Sequence, residues 1–143
     1  MTDTLINDVM TSSLLTVTYE QSMDKVEEIF KQHDIHHIPV VKGEELIGII
    51  SRTDVDKMKH GKSFFVNTNA SSYNAALFEA TLAKDVMTKH MQTIKATDSI
   101  FQAYSWFKKN KFRALPVVND NRLIGIITPI DLLDHFFTKQ NNE

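Results

Sequence analysis

The chain has 143 residues, 42% of them hydrophobic and 24% charged, with 18 acidic against 16 basic side chains and a formal net charge of −2. This is the length of one domain or of two small packed units, and its apolar content offsets chain entropy well enough to exclude disorder as the main state. The near-neutral balance excludes a general nucleic-acid binder, and the absence of cysteine excludes disulfides, thiolate nucleophiles and cysteine-ligated zinc.

The first eight residues, Met1 to Asp8, are polar and acidic with no basic leader region, and no stretch approaches the ~18–20 apolar residues of a membrane span. The expectation is a soluble, cytoplasmic protein. After the lead-in Asp8-Val9-Met10-Thr11, residues 14–17 read as a short strand. Ser22 reads as a helix N-cap with Asp24 in the first turn, favoured by the helix dipole. Met23, Val26, Ile29 and Phe30 carry helical periodicity, with an exit near His33-Asp34. Strands over 37–41 and 46–51 follow, joined by a turn at Lys42-Gly43-Glu44-Glu45, and a short helix starts near Thr53.

Residues 57–81 have no counterpart in the first part of the chain. They begin with the basic stretch Lys57-Met58-Lys59-His60-Gly61-Lys62-Ser63, become polar at 67–72, and carry one helix through Ala75-Ala76-Leu77-Phe78. The pattern then restarts with Asp85-Val86-Met87-Thr88 and a strand over 91–94. Ser99 and Gln102 have capping-box spacing. Ile100, Ala103, Tyr104, Trp106 and Phe107 form a helical face that ends near Asn110-Lys111. Strands over 114–118 and 123–128 flank the turn Asn119-Asp120-Asn121-Arg122, and a last helix starts near Ile130.

The restart is a duplication. Asp8-Val9-Met10-Thr11 and Asp85-Val86-Met87-Thr88, Pro39-Val40-Val41 and Pro116-Val117-Val118, and the two Leu-Ile-Gly-Ile-Ile runs at 46 and 123 all share an offset of 77, and 18 of 51 positions are identical between 5–55 and 82–132. Chance gives about one position in sixteen to twenty. The division is therefore repeat 1 over 1–60, a connection over 61–81 and repeat 2 over 82–143. Each repeat is β-α-β-β-α with a lead-in, an α+β fold.

The repeat resembles the cystathionine-β-synthase (CBS) domain, and the pair resembles a tandem CBS (Bateman) module. The resemblance rests on the two Asp-Val-Met-Thr lead-ins, on His37-Ile38-Pro39-Val40-Val41 and Ala114-Leu115-Pro116-Val117-Val118, and on Gly48-Ile49-Ile50-Ser51-Arg52-Thr53-Asp54 and Gly125-Ile126-Ile127-Thr128-Pro129-Ile130-Asp131. It implies two repeats packed about a pseudo-twofold axis, with clefts between them for adenosine-containing ligands, and a homodimer of such modules. It also implies a regulatory rather than catalytic role: no catalytic residue, no metal and no required cofactor, with an adenine nucleotide of the AMP, ADP or ATP type as regulatory ligand. An effector protein would receive the signal, since this sequence supplies no effector domain of its own.

By the same resemblance Asp54 and Asp131 are the ribose residues. Ser51, Arg52, Thr53, Thr128, His36, His37 and Arg113 lie on the phosphate side. Thr16, Val17, Ile38, Pro39, Thr93, Ile94, Ala114, Leu115 and Pro116 face the adenine, largely through backbone. The chemistry suits the types: a carboxylate accepts from both vicinal ribose hydroxyls, and a strand end entering a helix favours an anion. Proline pushes the residue before it into an extended form. A plainer reading stays open for the aspartates, which could simply cap their helices. The copies differ where His36-His37 faces Arg113-Ala114 and where Arg52 faces Pro129, so the two sites are expected to be inequivalent. Met10 and Met87 read as anchors for the lead-ins, and Trp106 and Phe107 as core or dimer contacts.

Rival chemistries fare worse. His33, His36 and His37 could approach a metal only on a continuous helix, which Asp34 and Ile35 interrupt. Gly61-Lys62-Ser63 lacks the glycine a P-loop needs five residues earlier. Asn69-Ala70-Ser71 matches a glycosylation signal by accident. The alternatives carried forward are a ligand-independent interaction module and a regulatory subunit answering S-adenosylmethionine, a cyclic dinucleotide or a divalent ion.

Overall fold

The structure, a computed structural model, describes residues 4–60, 70–109 and 111–141. Gly61-Lys62-Ser63, Asn69 and Asn110 lie outside the described residues. In chain order the elements are α1 (Ile6–Val9), β1 (Val17–Thr18), α2 (Met23–Gln32), β2 (His37–Lys42), β3 (Glu45–Ser51), α3 (Arg52–His60) and α4 (Ala70–Ala80). The second series is α5 (Ala83–Val86), β4 (Ile94–Lys95), α6 (Ile100–Lys108), β5 (Leu115–Asn119), β6 (Arg122–Ile127) and α7 (Pro129–Asn141). No helix among the described residues is long and apolar enough to cross a membrane.

The chain divides into two compact units. A central unit takes residues 15–90, and a split unit takes 1–14 together with 91–143. These units are not the sequence repeats, because each lead-in has changed sides. In the central unit β1 pairs parallel with β2 through Val17 and Val40, and β2 pairs antiparallel with β3. In the split unit β4, β5 and β6 repeat that arrangement with Ile94 opposite Val117. Helices α2 and α6 begin after Ser22 and Ser99, yet neither hydroxyl makes a capping bond. The Gln102 amide, with its nitrogen toward Asp98, meets that carboxylate at 3.2 and 3.3 Å instead of closing a box with Ser99.

The two hairpin turns solve one problem with different residues. Between Lys42 and Glu45 the chain turns through Gly43 at a φ of 64°. Between Asn119 and Arg122 it turns through Asp120 and Asn121 at φ values of 50° and 68°. Glycine, asparagine and aspartate tolerate the left-handed region that a two-residue hairpin requires.

Each unit has its own core. Met23, Val26, Phe30, Ile38, Val40 and Ile50 fill the central one, and Ile100, Ala103, Leu115, Val117 and Ile127 the split one. Each of these side chains larger than alanine contributes roughly 1.5–3 kcal/mol on full burial. The lead-ins complete these cores crosswise: Ala83 belongs to the central core and Ile6 to the split one, both 0% exposed. Backbone bonds seat them in matching ways. Met23 N–H donates to Thr81 O at 2.8 Å and Ala83 N–H to Gln21 O at 2.7 Å, while Ile100 N–H donates to Thr4 O at 3.1 Å and Ile6 N–H to Asp98 O at 2.8 Å.

The repeated glycine explains the repeated methionine. A Cβ on Gly48 would come within 3.0 Å of the Met87 side chain, and a Cβ on Gly125 would press on Met10 and stand 3.1 Å from Thr11 O. The lead-in thus lies flat on β3 or β6, closed by paired backbone bonds between Ile49 and Thr88 and between Ile126 and Thr11. The anchoring expected of Met10 and Met87 is what the coordinates show, each against the glycine of the other sequence copy.

Two expectations need adjusting. The strands read at 14–17 and 91–94 shrink to the pairs Val17–Thr18 and Ile94–Lys95. Ladder pairing with β2 starts only at Val40, one residue after Pro39, which has no N–H to offer a neighbour. The helices placed near Thr53, Ile130 and 75–78 are longer than read, spanning α3, α7 and α4.

Candidate functional site

In the central unit the Gly-Ile-Ile-Ser-Arg-Thr-Asp string runs off β3 straight into α3. Ser51 takes the N-cap position and Asp54 the third residue of the helix. Ser51 N–H donates to Asp54 Oδ2 at 2.8 Å, and Asp54 N–H donates to Ser51 Oγ at 3.1 Å. This reciprocal pair is a capping box with aspartate in the usual glutamate place. The plainer reading of Asp54 is therefore present. It occupies only Oδ2; Oδ1 has no hydrogen-bond partner among the described residues, and the side chain is half-buried.

The split unit builds the same corner with one extra bond. Thr128 N–H and Oγ1–H both donate to Asp131 Oδ2, at 2.8 and 3.1 Å, and Asp131 N–H returns to Thr128 Oγ1 at 3.3 Å. The other oxygen, Oδ1, accepts from Thr11 Oγ1 on the lead-in at 3.4 Å. An open recess of about 390 Å³ adjoins this corner, lined by Asp8, Val9, Asp131, Asp134, His135, Thr138 and Lys139.

The shortened first strands matter here. Because β1 meets β2 only at Val40 and Val41, the edge of β2 at His37, Ile38 and Pro39 has no strand of the described residues alongside it on that side. Leu115 and Pro116 on β5 are left in the same way. Ile38, Pro39, Leu115 and Pro116 are buried as side chains, so what they present is backbone. Thr16 is exposed and Val17 buried at the start of β1, and Thr93 and Ile94 hold the equivalent places. Thus Ser51 and Asp54 share a unit with Val17, Ile38 and Pro39, while Thr128 and Asp131 share one with Ile94, Leu115 and Pro116.

The basic residues separate into two groups. His36 and Arg113 are exposed, His37 is half-buried and Ala114 is buried. Arg52 has another occupation than the phosphate side. Its guanidinium donates to Phe30 O at 2.9 Å, to His33 O at 3.2 Å and to Ile35 O at 2.7 Å, and lies over the Phe30 ring at 5.3 Å. The planar fork closes carbonyls at and just beyond the end of α2, and turning to a phosphate would forfeit those bonds. Thr53 is exposed in the first turn of α3. Among the described residues no group of three or more His, Asp or Glu could hold a metal ion.

Sequence reasoning missed the part played by Asp8 and Asp85. Asp8 Oδ2 accepts from Leu5 N–H at 3.2 Å and Asp85 Oδ2 from Leu82 N–H at 3.3 Å, closing the single turns α1 and α5. The signal was an aspartate three residues after the leucine that both copies share.

Comparison with known proteins decides the family. A family profile of the CBS domain matches residues 6–61 and again 83–138. The chain belongs to the CBS-domain family. It is similar to the CBS domain-containing protein YhcV of Bacillus subtilis, 26% identical over 127 residues, covering 89% of this chain and 81% of that one. It is also similar to an inosine-5'-monophosphate dehydrogenase of Korarchaeum cryptofilum, 28% identical over 134 residues, covering 91% of this chain but 24% of the enzyme. The chain thus spans about a quarter of the length of that relative, and of the archaeal homoserine O-acetyltransferases it also matches. Among solved structures it superposes on the CBS-pair protein CBSX2 of Arabidopsis thaliana with a TM-score of 0.80 at 23% identity, covering 99% of this chain and 100% of that one. A further structure of CBSX2, at a TM-score of 0.78 and 23% identity over 96% of this chain and 98% of that one, is a complex with AMP. At that identity the likeness is one of fold, and the fold is the tandem CBS pair.

Proposed function

We propose that this CBS pair is a cytoplasmic regulatory module that binds an adenosine-containing ligand of the AMP, ADP or ATP type and signals to a separate effector protein, acting as a homodimer and without catalysis of its own. The observation that carries the reading is Asp54. Its carboxylate is fixed through Oδ2 by the cap of α3, while Oδ1 keeps both lone pairs for the vicinal hydroxyls of a ribose. The N-terminal end of α3 and the Ser51 hydroxyl then favour a phosphate, with His36 and His37 on the same side as further donors. The open edge of β2 at Ile38 and Pro39 supplies backbone groups for the base. The AMP complex of CBSX2 supports this ligand class by likeness of fold. In the split unit Thr128, Asp131 and Arg113 take the corresponding roles, but Asp131 must give up Thr11 to free its second oxygen. The central site is therefore the tighter of the two.

The test is a thermal-shift titration with AMP, ATP and S-adenosylmethionine, followed by Asp54→Asn and Asp131→Asn. Asparagine keeps an acceptor for the cap while placing a donor where the ribose needs an acceptor. AMP at 100 times its dissociation constant adds about 2.7 kcal/mol to the wild type. Asp54→Asn removes most of that gain and Asp131→Asn the smaller part, with the ligand-free melting of both variants within about 1 kcal/mol of wild type. Absence of any shift with all three compounds overturns the reading.

A further inference from the structure

Beyond the last turns of α2 and α6 the two copies carry opposite charge. Lys31 and Lys108 match across the 77-residue offset, and each serves the negative end of its helix. After them the copies part. Lys109, Lys111 and Arg113 are exposed, and their counterparts are Gln32, Asp34 and His36. With histidine counted as neutral, three positive charges in one copy face a single negative charge in the other. Among the described residues Lys109, Lys111 and Arg113 make no ion pair, whereas Lys31 is neutralised by Glu27 at 2.7 Å. A helix dipole accounts for Lys108 but not for charges placed beyond the helix.

The sheet sets where this cationic run lies. Leu115 pairs with Ile127 in the antiparallel β5–β6 ladder, so the stretch before Leu115 runs beside Thr128 and the start of α7. The first copy shows that geometry directly, since Arg52 N–H at the start of α3 donates to His36 O at 2.9 Å. Arg113 holds the equivalent place, next to the Thr128–Asp131 corner, and Lys111 and Lys109 lead from it toward α6. Lys109 lies 4.3 Å from the Trp106 ring centroid, a cation–π contact that leaves its charge unneutralised.

We propose that the split unit selects an adenosine polyphosphate over the monophosphate, with Lys109 and Lys111 setting that preference beside Arg113. Asp131 Oδ1 is already engaged by Thr11 at 3.4 Å, so a ribose gains less there than at Asp54. A ligand must bring further contacts to bind this unit well. The second and third phosphates of a nucleoside triphosphate bring them, as charge-assisted bonds to exposed cations. In the central unit the same extension would approach Asp34, where like charge opposes it. For AMP the central site stays the tighter, and for ATP the order reverses. The proposal rests on the adenosine-binding reading above and adds the phosphate number that each site takes.

Trp106 is the only tryptophan of the chain and touches Lys109, so its emission reports on the split unit. Full-length Asp54→Asn protein is titrated with AMP, ATP and inorganic tripolyphosphate in magnesium-free buffer, by calorimetry and by Trp106 fluorescence. ATP is expected to bind roughly 10-fold or more tighter than AMP and to change the Trp106 emission. Tripolyphosphate is expected to be weaker than ATP, because it brings no ribose to Asp131. Giving the second copy the residues of the first, Lys109→Gln with Lys111→Asp, brings ATP to within about threefold of AMP. Equal affinity for the two nucleotides in Asp54→Asn, tripolyphosphate as tight as ATP, or a preference that survives the double substitution overturns the proposal and leaves the adenosine reading standing. Loss of all nucleotide binding in Asp54→Asn, with AMP still bound by the wild type, does the same. A wild type that binds no nucleotide overturns both. Should a variant fail to fold, as judged by circular dichroism, wild-type Trp106 titrations decide: an ATP midpoint well below that of AMP is expected, and coincident midpoints overturn the proposal.

Discussion

The two halves have matching cores and differ at their margins. Ile50 and Ile127, Ile38 and Leu115, and Val40 and Val117 are matching positions across the duplication, each 0% exposed. At the C-terminal ends of α2 and α6 the solutions part. In the first copy Arg52 reaches back to three carbonyls and lies over Phe30. In the second, Pro129 stands in that place and cannot reach. There Trp106 packs edge-on against Phe112 with ring centroids 5.7 Å apart, and Lys109 lies 4.3 Å from the Trp106 centroid. The equivalent residues of Trp106 and Phe112 are Ile29 and Ile35. One helix end is held by hydrogen bonds, the other by ring packing. Duplication preserves what the interior needs and leaves each surface free to solve its own problem.

That comparison can be tested at three strengths. The largest expected effect is on the shared interior: Ile50→Ala and Ile127→Ala each cost about 2–5 kcal/mol in urea unfolding, and the two costs agree within about 1 kcal/mol. A twofold disparity would mean that the cores are less equivalent than their burial. Next is the differing helix end. Arg52→Ala costs about 1–3 kcal/mol by leaving carbonyls unpaired, and Arg52→Lys recovers little of it because an ammonium cannot make the planar fork. Full rescue by lysine would reduce the role of Arg52 to its charge. Smallest is Glu27→Gln, which releases Lys31 and Lys59. Glu27 raises the Lys31 pKa above its ordinary 10.5 through a hydrogen bond and charge attraction. The stabilisation is therefore present at neutral pH and lost only as pH rises through the folded-state pKa of Lys31. A melting temperature in Glu27→Gln that is slightly lowered at low salt and unchanged at high salt is the expected signature.

Much of this was legible in the amino-acid sequence. The offset of 77, the hairpin turns, the central strands and the helix faces follow from periodicity and turn chemistry, which are local. Asp54 and Asp131 stood out because a carboxylate three residues past a serine or threonine at a strand end either caps or binds. The exchange of lead-ins was not legible. Asp-Val-Met-Thr is the same in both copies, so either glycine-floored strand would accept either methionine, and local pattern carries no record of which one does. The length of β1 was lost for a related reason: the pairing of residues 14–16 depends on Pro39, more than twenty positions away. The occupation of Arg52 depends on where α2 ends in space, which the local sequence around Arg52 does not record.

The crossed lead-ins have a consequence for dissection. A fragment bearing one copy carries a methionine suited to a groove it does not own, and a groove over Gly48 or Gly125 with nothing to lie in it. Such a half can become whole by trading arms with a twin. The join between the copies makes that trade a private matter within one polypeptide, independent of concentration.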